Sequence, residues 1–112
     1  MNINHTPMTY TEIETYLRDL FILNGYDPFK IEFYYTKEYA GCFNPNTKTI
    51  TISMFAVEKL TDDQLKDVLL HEFAHFFAYK EFGENNHEYY WQECCKLLGC
   101  STDLTVYFGE KK

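Results

Sequence analysis

The stretch from Thr61 to Gly83 constrains what this chain can fold into more than any other part of it. Thr61 and Gln64 stand at capping-box spacing, where two side chains satisfy each other's backbone N–H groups at a helix start. Asp62 and Asp63 put negative charge in the first turn, where the helix dipole favours it, which is a sufficient reason for an acidic pair there. Leu65, Val68, Leu69, Phe73, Phe76 and Phe77 then recur at helical spacing to about Phe82, and Gly83 supplies a C-terminal cap. A helix apolar around so much of its circumference runs through a core, not over its surface.

In the middle of this helix stands His71-Glu72-Phe73-Ala74-His75, an H-E-x-x-H pattern. Residues four apart lie one turn above each other, so both imidazoles can reach one ion. Imidazole nitrogen suits zinc, which binds it at ~2.0–2.1 Å. Glu72, next to the first histidine but turned around the helix, can reach a water on the metal without ligating it. Zinc lowers the pKa of such a water toward ~7, so that Glu72 can act as general base in peptide-bond hydrolysis. A catalytic zinc needs a third protein ligand. His87 is the candidate: it follows a glycine-containing turn and shares a helical face with Trp91, Cys94 and Leu98. Glu84 and Glu88 are alternatives, as a ligand or as hydrogen-bond partner of a ligand N–H. Tyr39, Tyr79, Tyr89 and Tyr90 each offer a hydroxyl for the oxyanion, and the spacing selects none of them.

The other elements are shorter. Residues 9–24 form a first helix, capped by Thr9 with Glu12 or by Thr11 with Glu14, with Ile13, Tyr16, Leu17, Leu20 and Phe21 on one face and Asn24-Gly25 as its stop. Residues 30–36 alternate as a half-buried strand. Cys42-Phe43 and Thr49–Ser53 flank the turn segment Asn44-Pro45-Asn46-Thr47, with Ile50, Ile52 and Met54 facing the core. The sheet is expected to be antiparallel and about three-stranded, because short turns cannot make parallel crossovers. A last helix covers roughly 87–98, ended by Gly99, and Thr105–Phe108 reads as a short strand. The expected architecture is α+β: one domain over 1–112, its core at about 9–99, in which a small antiparallel sheet packs against about three helices.

Charge and cysteine usage narrow the partners. A formal net charge of −7 without a basic stripe argues against autonomous tight binding to nucleic acid. No apolar run of ~20 residues and no signal-peptide pattern is visible, so the expected setting is cytoplasmic, with no membrane partner. Cys42, Cys94, Cys95 and Cys100 contain no C-x-x-C pair and read as reduced, with Cys94 and Cys95 as small apolar filler.

The run His71-Glu72-Phe73-Ala74-His75, Phe82-Gly83, His87, Trp91 and Leu97-Leu98-Gly99 resembles the SprT-like metalloprotease family, which includes bacterial SprT and the protease domain of Spartan. Ala40-Gly41-Cys42 followed by Ile50-Thr51-Ile52-Ser53 is similar to that family's glycine-led hairpin. The resemblance implies a zincin-like fold, one zinc on His71, His75 and His87, and Glu72 as base. It also implies proteolysis linked, in some members, to proteins attached to DNA. Two departures stand out: Glu88 where many members have glycine, and a tail, 100–112, with neither zinc ribbon nor basic segment. Any association with DNA is therefore expected to need a partner. Two rival readings keep the same residues: a non-catalytic zinc site closed by Glu84 or Glu88, and a regulatory or interaction module on the same fold.

Overall fold

The computed structural model describes residues 8–84 and 89–100. Helix α1, Tyr10–Leu23, starts with the Thr9–Glu12 capping box and buries Ile13, Leu17 and Phe21. Strands β1, Lys30–Tyr34, β2, Gly41–Asn44, and β3, Thr49–Ser53, form one sheet in the order β1-β3-β2. Helix α2 is Met54–Lys59, α3 is Asp62–Phe82 and α4 is Tyr89–Leu98. The fold is α+β, as expected, but the sheet is mixed, and the antiparallel expectation is corrected. β2 pairs with β3 antiparallel (Gly41 opposite Ile52, Asn44 opposite Thr49), whereas β1 pairs with β3 in parallel, from Lys30 beside Thr49 to Tyr34 beside Ser53. The short-turn rule holds for the β2–β3 hairpin. It does not apply to β1 and β3, because the whole of β2 and its flanks, residues 35–48, lies between them and is long enough for a crossover.

The second correction is α2. Met54 does not continue the strand; it opens a short helix, which makes four helices among the described residues. Ser53 turns the chain there: its hydroxyl donates to the Thr36 carbonyl at 2.6 Å and accepts from the Ala56 N–H at 3.2 Å. A six-residue helix gives too few turns for apolar periodicity to reveal it.

Helix α3 is the spine. Leu65, Leu69, Phe73 and Phe76 pack with Ile13, Leu17 and Phe21 of α1 and Ile50 and Ile52 of β3 in the main core. Ala74 and Ala78, on another side, meet Trp91, Cys94 and Cys95 of α4. Val68 packs with Ala40 and Ala56. The helix ends where Gly83 adopts φ +72, a left-handed conformation open to glycine at little cost. The phenol of Tyr26, after α1, donates to the carboxylate of Glu81 in the last turn of α3. Burial, and then that bond, push the phenol up to about 12.

The capping box of α3 forms as its spacing requires: the Gln64 N–H donates to Thr61 Oγ at 3.2 Å and the Thr61 N–H to Gln64 Oε1 at 2.9 Å. Thr61→Ala is expected to cost about 1 kcal/mol by urea denaturation; an unchanged midpoint would show the cap to be idle. Cys42, Cys94, Cys95 and Cys100 form no disulfide with one another. Among the described residues no helix is long and apolar enough to cross a membrane. The expected strand at Thr105–Phe108 lies outside the described residues.

Candidate metal centre

His71, Glu72 and His75 occupy the middle of α3, between its sheet-facing and α4-facing sides, and all three are buried, at 5%, 1% and 4% exposure. A buried carboxylate beside two buried imidazoles is costly unless a charge or a bonding partner holds it there. The imidazole ring centres are 5.8 Å apart, with planes at 45°. A ring nitrogen bound to zinc at ~2.0–2.1 Å puts its ring centre roughly 3.2 Å from the ion, so two rings on one ion have centres no further apart than about 6.4 Å. The pair observed fits a shared ion.

Two aromatic side chains from other elements hold these rings. Trp91 of α4 is fully buried and packs against both, its ring 4.7 Å from that of His71 and 5.2 Å from that of His75, the latter nearly parallel at 24°. Its indole N–H donates to the backbone carbonyl of His71 at 3.4 Å. Phe43 of β2 lies parallel to His75 at 6.1 Å and parallel to Phe29 at 5.8 Å. Tyr79, one turn beyond His75, meets the edge of Phe43. Next to this aromatic row a cavity of about 430 Å³ opens, lined by Phe29, Phe76 and Tyr79 together with Lys30, Lys48 and Lys80.

The remaining expected site residues sort as follows. Glu84 is engaged at the start of α4, where its two carboxylate oxygens accept from the backbone N–H groups of Tyr90 at 2.9 Å and Trp91 at 3.1 Å. A carboxylate at a helix N-terminus is a favourable cap, and here it ties the end of α3 to the backbone of Tyr90 and Trp91 in α4. His87 and Glu88 lie outside the described residues. Among the described residues no group of three or more His, Cys, Asp and Glu side chains is gathered to hold a metal ion. Of the four tyrosines, Tyr90 stacks on Phe82 at 4.1 Å, Tyr89 is 65% exposed and Tyr79 packs on Phe43. Burial pushes the phenol of Tyr39 up, helped by Cys42, Tyr34, Glu38 and, least, Glu72. The contacts that escaped the sequence reading include Trp91 against both imidazoles, Phe43 against His75, and Gly41 against Glu72, where a Cβ on the glycine would meet the carboxylate oxygen at 2.8 Å.

A sequence model described as the SprT-like family matches residues 13–108. No curated protein matches the chain. Among solved structures the chain is similar to the crystal structure of the metallopeptidase zymogen of Methanocaldococcus jannaschii, jannalysin, with TM-score 0.62 and 24% sequence identity, over 76% of this chain and 79% of that one. At that identity the likeness carries the fold alone, an α+β arrangement in which a small three-stranded sheet packs with helices.

Proposed function

The chain belongs to the SprT-like family, and from that premise we propose that it is a zinc-dependent metalloendopeptidase in which His71, His75 and His87 hold the metal and Glu72 is the general base. The observation that carries the reading is the buried trio on α3, two imidazoles close enough to share one ion with a carboxylate beside them. Zinc bound there supplies a Lewis acid that activates water and polarises the scissile carbonyl. His71 and His75 contribute neutral nitrogens from one helix face, and the Trp91 ring against both limits how far either can turn. Glu72 takes a proton from the attacking water and passes it to the leaving amine; its burial keeps bulk water away from that transfer.

The substrate is a polypeptide in extended form. β2 lies at the sheet edge and packs against α3, so an added strand would run past the histidines through main-chain hydrogen bonds alone. A substrate side chain would enter the aromatic cavity beside Phe29 and Tyr79. Proteins held on DNA are within this class. With a net charge of −7, encounter with them would depend on a partner.

The test is metal content and proteolysis together. Purified protein is expected to carry one zinc per chain and to cleave casein, to lose cleavage when the metal is chelated, and to regain it when zinc is returned. His75→Ala is expected to lose both the stoichiometric zinc and at least about a hundredfold in cleavage, since one ligand of three is gone. Cleavage that persists without metal would refute the reading. Zinc held at one per chain with no proteolysis would favour the non-catalytic site.

A further inference from the structure

Gly41 begins β2, opposite Ile52 of β3, and its peptide is tied down because the preceding carbonyl, of Ala40, accepts from the Ser53 N–H at 2.9 Å. It is buried. Unlike Gly25, Gly83 and Gly99, it does not have a positive φ, so its backbone conformation is open to any residue. The demand for glycine therefore comes from what approaches it. A Cβ at this position would lie 2.8 Å from Oε2, 2.9 Å from Cγ and 3.0 Å from Cδ of Glu72. Ordinary contact is about 3.5–4.0 Å, so the last three heavy-atom positions of that side chain would have to retreat by on the order of 1 Å. Glu72 is 1% exposed and rises from the rigid middle of α3, which leaves it little room to do so.

We propose that Gly41 is a positioning residue for the base: the missing side chain in the edge strand makes the slot that holds the Glu72 carboxylate. The inference rests on the role given to Glu72 above, and it adds a specific dependence of that role on β2. It also explains a physical oddity of the strand. Glycine weakens a strand by its backbone freedom, and alanine at a compatible φ is normally the more stable choice. Here the close approach reverses that order, and catalysis gains a carboxylate with one position available to it.

The experiment uses the zinc-loaded full chain and four proteins: wild type, Gly41→Ala, Glu72→Ala and the double variant. Melting temperature, zinc content and cleavage of labelled casein are measured for all four, with kcat and KM for wild type and Gly41→Ala. Gly41→Ala is expected to lower kcat by about 10–100-fold with KM little changed and zinc retained. It is expected to lower the melting temperature by roughly 4–12 °C on the wild-type background, and to leave it unchanged or raise it on the Glu72→Ala background, where the slot is empty. Should Gly41→Ala fail to fold, the double variant is expected to fold. Equal melting-temperature changes on both backgrounds, with kcat intact, would overturn the assignment. A wild type without Glu72-dependent cleavage would instead overturn the proteolytic reading, and the melting cycle alone would then decide whether Gly41 holds Glu72.

Discussion

Glu72→Gln is expected to lower casein cleavage by about 10²–10⁴-fold while zinc content and melting temperature stay at wild-type values. The amide has the size and shape of the carboxylate, so the slot beside Gly41 remains filled, and the imidazoles of His71 and His75 keep their neighbours Trp91 and Phe43. What is lost is an acceptor basic enough to take a proton. Because Glu72 is almost fully buried, solvent has little access to replace it in that role. Since the group acts in the transition state, the loss should fall on kcat, with KM near its original value. A glutamine variant that cleaves casein at the wild-type rate would remove Glu72 from the mechanism, whatever the metal content.

Trp91→Ala is expected to cost about 3–5 kcal/mol, a large part of the 5–15 kcal/mol that holds a domain of this kind together. The side chain is fully buried, touches both histidine rings and joins α4 to Ala74 and Ala78 of α3 in the second core cluster. Its removal leaves a void that small neighbours, alanines and cysteines, cannot fill by moving. The indole bond to the His71 carbonyl is long, at 3.4 Å, so most of the loss comes from packing, and Trp91→Phe is expected to recover more than half of it. Urea denaturation of the metal-free protein reads the packing cost directly. The zinc-loaded protein should lose still more, because both metal-holding rings lose a wall. A Trp91→Ala protein as stable as Leu97→Ala, which alters a side chain 84% exposed on the same helix, would contradict this account.

The elements that could be read in advance are those whose information is local. The capping box at Thr61 and Gln64, the helical recurrence of Leu65, Leu69, Phe73 and Phe76, and the stop at Gly83 are relations between residues a turn apart. The same holds for α1, with its Thr9–Glu12 cap, and for the pairing of β2 with β3 across a short turn. Short-range rules misled where the partner was distant. β1 skips β2 to pair with β3, and Ser53 diverts the chain into α2 through a bond to Thr36, seventeen residues back in sequence. Neither fact has a periodicity.

The candidate site divides along the same line. That His71 and His75 share a face, with Glu72 turned to one side, follows from helix geometry and was determined by the sequence alone. That Trp91 lies against both imidazoles, that Phe43 lies parallel to one of them, and that Glu84 caps α4 instead of approaching the histidines was decided only when α4 and β2 packed onto α3. Gly41 is the sharpest instance. In the sequence it is one glycine among five, and its meaning comes entirely from the carboxylate that occupies the space a side chain would have taken. A helix carries its own period because its bonds join residues four apart, whereas contacts between elements depend on which surfaces bury each other, and no short window of residues records that.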